Sequence, residues 1–95
     1  MSMDAITGRV RIVNPLGMHA RPASALVSLA SSFTSDIRVA KDGLEVNAKS
    51  IMGVLMLAAE VGSELHFSAT GPDARDAIPA LTGLVQRGFD LGEDE

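Results

Sequence analysis

At 95 residues the chain has room for one compact domain with a single core, and its 46% hydrophobic and 21% charged composition is globular rather than disordered. The absence of cysteine excludes disulfides, thiolate metal sites and cysteine nucleophiles. A net charge of −4, with eight scattered basic residues and Phe33, Phe67 and Phe89 as the only aromatics, excludes nucleic acid as a main partner, which would demand clustered cations or a stacking platform.

Arg9 to Val13 alternates polar and apolar residues, which predicts a half-buried strand with Val10 and Ile12 on one face. Asn14-Pro-Leu-Gly17 ends it. From Ala23 the apolar positions Leu26, Val27 and Ala30 recur at helical spacing, the stripe of an amphipathic helix reaching to about Ser32. Asp36 to Ala40 and Leu44 to Ala48 alternate again, with Ile37, Val39, Leu44 and Val46 expected inward. Asp42-Gly43 between them suits a tight hairpin, because Gly tolerates positive φ and Asp often does.

Ser50 is a natural N-cap for an apolar stretch from Ile51 to Ala59, read as a short helix whose inward stripe is Ile51, Leu55 and Ala58, with Met56 beside it. Leu65, Phe67 and Ala69 alternate with polar residues in a fourth strand. Thr70-Gly-Pro-Asp73 leads into a last helix carrying Ala74, Ala77, Ile78, Leu81, Leu84 and Val85 on one side. Pro79 inside it predicts a kink or a break, since an interior proline removes a backbone donor and clashes with the preceding turn.

The order is β-α-β-β-α-β-α, which predicts an α+β domain with one wet sheet face and one covered by helices. A single domain over residues 1–95 is expected, with its core at about 6–89 and residues 1–5 and 90–95 flexible. No apolar run approaches the ~20 residues of a membrane helix, and the start lacks the regions of a signal peptide. A soluble, unprocessed chain with no membrane partner is therefore expected.

Pro22 belongs in the first turn of the first helix, where backbone amides have no intrahelical acceptor. His19 then falls at or beside the N-cap, facing the first free amides, of Ala20 and Arg21, and the helix's partial positive charge. The Arg21 guanidinium, always protonated, lies two residues on and can grip phosphate oxygens with two prongs. An imidazole, free amides and a fixed cation on one turn form what a transient phosphohistidine needs. A lone surface histidine at a helix start is otherwise an ordinary solvated residue or a weak cap.

The run Asn14-Pro-Leu-Gly-Met-His-Ala-Arg-Pro-Ala23 closely resembles the active-site signature of the HPr phosphocarrier family. Asn47-Ala-Lys-Ser-Ile-Met-Gly53 resembles the family's second signature, around a regulatory serine, and the element order agrees from about Ile6 to Phe89. The resemblance implies an open-faced sandwich with strand order 1-4-2-3 and three helices on one face. It implies a cytoplasmic phosphocarrier of the phosphoenolpyruvate-dependent phosphotransferase system, a relay component rather than a stand-alone enzyme, needing no cofactor. His19 would take a phosphoryl group on Nδ1 from enzyme I and pass it to an EIIA-type protein, with Arg21 neutralising the charge. Where the organism has an HPr kinase, Ser50 would be phosphorylated, adding roughly −2 charge near the partner surface and weakening transfer.

Met18, Ile51 and Met52, the apolar residues nearest the two helix starts, are expected at the partner surface, with burial in the core as the plain alternative. His66 lies on the polar phase of its strand and is expected to be exposed; two histidines without a carboxylate cluster make no metal site. A monomer is expected. Met18, the Leu-Met-Leu-Ala-Ala run at 55–59 and the Arg-Gly-Phe-Asp ending resemble nitrogen-related proteobacterial members more than sugar-uptake ones. The alternatives are a sugar-uptake HPr, an HPr-like regulator that only docks, and a small-molecule-binding regulatory module, which would need a polar cluster away from His19.

Overall fold

Alternation along the strands builds a sheet with two unlike faces. In the computed structural model, which describes residues 4–92, 94 and 95, the elements are β1 (Ile6–Arg11), α1 (Ala20–Ser31), β2 (Asp36–Lys41), β3 (Leu44–Asn47), α2 (Ile51–Met56), β4 (Glu64–Thr70) and α3 (Ala74–Gln86). A short turn in left-handed backbone, Gly88–Asp90, follows α3. The strands pair antiparallel in the order β1-β4-β2-β3, as the resemblance implies. The register sets Phe67 opposite Val39 and Gly8, and Leu65 opposite Val10, on the covered face. The opposite face carries Arg9, His66 and Glu45 in solvent.

The helices lay their apolar stripes on that covered face, burying Leu26 and Ala30 from α1, Val54 from α2, and Ala77, Ile78, Leu81, Leu84 and Val85 from α3. Gly8 on β1 makes room for α3, since a Cβ there would lie 2.7 Å from Ile78 Cγ2. The β2–β3 hairpin turns through Asp42 and Gly43 at φ 51° and 85°, the pair of positive φ values of a type I′ turn. Among the described residues no helix is long and apolar enough to cross a membrane.

The structure corrects some of the expected details. Leu44 is 45% exposed, because it flanks the hairpin turn on the outermost strand, beyond the cover of the helices. In α2 the inward residue is Val54, followed by Leu57, whereas Ile51, Leu55 and Ala58 face outward and Met56 is 67% exposed. The helix also stops at Met56, where Lys41 Nζ reaches the carbonyls of Leu57 and Ala58 and Ala58 turns left-handed at φ 48°.

Of the kink or break expected at Pro79, the break does not occur: α3 is one element, and the proline lies on its exposed side. Phe89 is buried in left-handed backbone at φ 61°, Leu91 packs on the core, and Glu95 returns to the β1–α1 loop. Of the termini expected to be flexible, residues 1–3 and Glu93 lie outside the described residues.

The far end of the sandwich from that loop is tied by one carboxylate. Asp73 opens α3, yet instead of capping it the side chain accepts from the backbone and hydroxyl of Ser35, at 3.0 and 2.5 Å, and from those of Thr34, at 2.9 and 3.3 Å. The Ser35 hydroxyl bond, then the Thr34 amide, hold the Asp73 pKa down from 3.8 to about 2. Gly71, at φ +150°, lies so close that a Cβ would sit 2.5 Å from Ser35 Oγ. A depressed carboxylate stabilises the fold above its unfolded pKa, and that stability is lost as pH falls from 3.8 through about 2. Urea titrations of wild type and Asp73→Asn should therefore show a clear stability gap at pH 7 that narrows between pH 4 and 2. A gap independent of pH would contradict this role for Asp73.

Candidate functional site

The turn leading into α1 is held from both sides. Asn14 to Gly17 is a β-turn closed by Gly17 N–H donating to Asn14 O at 3.1 Å, with Asn14 Nδ2 donating back to Gly17 O at 2.8 Å. Gly17 adopts φ +67° and approaches the α2–β4 loop so closely that a Cβ would meet Ala59 O at 2.5 Å and Glu60 Cα at 2.9 Å. Next in the chain, Met18 N–H donates to Ala59 O at 2.8 Å, and the Met18 side chain is 6% exposed. Met18 is thus withdrawn from the partner surface and is a core peg: the backbone pairing with Ala59 turns its side chain inward.

His19 follows as the α1 N-cap in extended backbone, its carbonyl accepting from Ala23 N–H at 3.0 Å. Pro22 is the third helical residue and is buried. The backbone amides of Ala20 and Arg21 have no acceptor among the described residues, as the first turn of a helix dictates. Nε2 of the His19 ring is closed off from solvent without a hydrogen-bond partner among those residues. One ring nitrogen, Nε2, thus faces protein, on a residue that directly precedes two unpaired N–H donors.

Arg21 projects into solvent from the first turn, and Nη1 meets both carboxylate oxygens of Glu95 at 2.7 Å. The backbone of residue 95 is held on the same loop: its carbonyl accepts from Leu16 N–H at 3.1 Å and from Asn14 Nδ2 at 2.7 Å. Asn14 is buried at 4% exposure, although in the sequence it reads only as a strand terminator. Neither its clamp nor Glu95 has a local signal, because their partners lie 81 and 74 residues away.

Ser50 caps α2, its Oγ accepting from Gly53 N–H at 3.1 Å. Gly53 carries no Cβ where α2 crosses Val46. The outward side of α2 is apolar, with Ile51, Met52, Leu55 and Met56 all exposed and Met52 at 69%. Leu16 in the His19 turn is also exposed, at 63%. Across α1 and α2 Arg21 is the only charged residue. His66 is exposed on the open sheet face, 2.9 Å from Glu64 Oε1.

A family model described as "PTS HPr component phosphorylation site" matches residues 6–87. The chain is 45% identical to the phosphocarrier protein HPr of Cupriavidus necator over 82 residues, 86% of this chain and 92% of the relative. It is 43% identical to the phosphocarrier protein NPr of Proteus mirabilis over 83 residues, with the same coverage. The crystal structure of HPr from Thermoanaerobacter tengcongensis superposes with a TM-score of 0.85 at 43% identity, covering 95% of this chain and 99% of that one. The chain belongs to the HPr family, the phosphocarrier proteins of the phosphotransferase system.

The close approach at Gly17 carries its own prediction. Gly17→Ala adds a clashing Cβ at a positive φ and should lower unfolding free energy by about 2 kcal/mol or more. Urea unfolding measures the loss, and amide shifts concentrated at 14–21 and 57–62 locate it. A neutral substitution would show that the two loops can part.

Proposed function

We propose that the protein accepts a phosphoryl group on Nδ1 of His19 from phosphorylated enzyme I and passes it to an EIIA-type protein, in the cytoplasm. The observation that carries this reading is the placement of His19 at the α1 N-cap, with free amides at Ala20 and Arg21 beside it. In the forward step the Nδ1 lone pair attacks phosphorus, a new N–P bond forms, and the donor's bond to phosphorus breaks with its electron pair. The charge on the phosphoryl oxygens meets N–H donors and a guanidinium already in position, so little reorganisation is needed. Closure of Nε2 supports Nδ1 as the attacking atom.

The docking surface we assign to Ile51 and Met52, extended by Leu55, Met56 and Leu16 and without Met18. Flexible, polarisable methionines suit a face that must fit a donor and an acceptor in turn. Phosphorylation of Ser50 by an HPr kinase would place roughly −2 charge at the edge of this apolar face and oppose docking. The short edge strand β3 and the arginines on edge strand β1 favour a monomer.

For the branch, Met18, the apolar run at 55–59 and the Arg87-Gly-Phe-Asp90 ending favour a nitrogen-related regulatory relay, and the NPr of P. mirabilis supports it. The second reading is a sugar-uptake carrier, which the similarity to the HPr of C. necator favours. Retention of His19 with Arg21 argues against a regulator that acts by docking alone.

With phosphoenolpyruvate and active enzyme I, intact mass should show one added phosphate that is lost in acid and absent from His19→Ala. A folded wild type without the adduct refutes the proposal. Arg21→Ala should slow phosphorylation about tenfold or more, the scale of a lost charge-assisted hydrogen bond. Met52→Asp with Met56→Asp should raise the KM for enzyme I about tenfold while leaving Tm within a few degrees, because both side chains are already in water. An unchanged KM would remove α2 from the docking surface.

A further inference from the structure

We propose that Asn14 is a positioning residue of the phosphoryl transfer: its side-chain oxygen, Oδ1, accepts the Nε2–H of His19 as Nδ1 attacks phosphorus. The proposal rests on the reading that His19 is the phosphorylated residue. Two side-chain polar atoms are buried without a hydrogen-bond partner among the described residues, Asn14 Oδ1 and His19 Nε2, and both belong to the segment that leads into α1. Buried polar atoms are nearly always paired, so two orphans on one segment call for a reason.

The backbone brings the two residues together. Gly17 O accepts from Asn14 Nδ2 at 2.8 Å and from His19 N–H at 3.0 Å, so the carboxamide and the His19 backbone meet on one oxygen. The second Nδ2 hydrogen goes to the carbonyl of residue 95 at 2.7 Å. Both contacts are carbonyls, which identifies the bonded atom as the nitrogen and leaves the oxygen as the unpaired end. A buried carboxamide held through both hydrogens has little freedom to turn. Its oxygen is therefore a fixed acceptor on the segment that carries the histidine.

Chemistry fixes which proton this acceptor takes. For Nδ1 to attack, its lone pair must be free, so the proton of the neutral ring sits on Nε2. As the N–P bond forms and the donor's bond to phosphorus breaks with its electron pair, the ring gains positive charge and Nε2–H becomes a stronger donor. No proton leaves the ring. The pair is unmade in the resting structure, so its formation favours the reacting state over the resting one, which is the condition for an interaction to raise the rate.

Phosphorylation kinetics with enzyme I and NMR of the phosphorylated protein test this together. Asn14→Ala should lower kcat for phosphoryl uptake about tenfold or more, the scale of one lost hydrogen bond to a charged group, and leave KM within about twofold, because α2 is untouched. Asn14→Asp, which keeps an acceptor but gives up both donors, should be faster than Asn14→Ala. Equal rates in the two variants would assign the effect to the lost clamp on Gly17 and overturn the proposal, as would a normal rate in Asn14→Ala. In phosphorylated wild type labelled with 13C and 15N, Nε2–H of His19 should be protected from solvent exchange and coupled through its hydrogen bond to Asn14 Cγ. This measurement depends on no variant folding, and an Nε2–H in rapid exchange overturns the proposal while leaving His19 as the phosphorylated residue. If wild type takes up no phosphate while enzyme I is active, the reading of His19 fails and this inference goes with it.

Discussion

The site depends on two stretches of backbone meeting with nothing between them. Gly17 and Ala59 can approach because Gly17 has no side chain, and the Met18 N–H to Ala59 carbonyl bond then locks the contact. That bond turns Met18 into the core, which sends the next residue, His19, to the surface as the cap of α1. Pro22, buried one turn on, fixes the helix start with one fewer amide to satisfy. The imidazole therefore owes its position to the packing of its neighbours rather than to its own hydrogen bonds.

Around this ring the electrostatics are sparse. The outward sides of α1 and α2 offer serines and apolar side chains, with Arg21 as the only charge on either helix. Most of the remaining charges lie on the open sheet face, in the loops and on α3. A partner docking on the helical side meets apolar surface, and the local field is left to the helix terminus, Arg21 and Glu95. Charge is thus concentrated on the open sheet face, in the loops and on α3, while α1 and α2 present an apolar outer surface.

Much of this was legible in the sequence. Strands showed as alternation, α1 and α3 as stripes, and the hairpin as Asp42-Gly43, because each signal is local. The errors share a cause. In α2, Ile-Met-Gly-Val-Leu-Met is apolar all round, so no polar residue marks the outside, and the inward positions are set by how the helix crosses Val46. Met18 reads as an interface residue until its backbone is seen paired with Ala59. Pro79 is tolerated because of the side on which it lies, which one residue's identity does not reveal. Glu95 and Asn14 act through contacts across almost the whole chain, and Asp73 through a loop 38 residues away, separations at which a single sequence carries no pattern.

Above all, we propose that His19 reacts through Nδ1, at the N-terminus of α1 where the amides of Ala20 and Arg21 are free. Long-range nitrogen–proton NMR on 15N-labelled protein, recorded before and after phosphorylation by enzyme I, tests it most directly. The account predicts phosphorus coupling to Nδ1 of His19, together with large shifts of the Ala20 and Arg21 amide protons. Phosphorus on Nε2, or amides of Ala20 and Arg21 that do not respond, would contradict it.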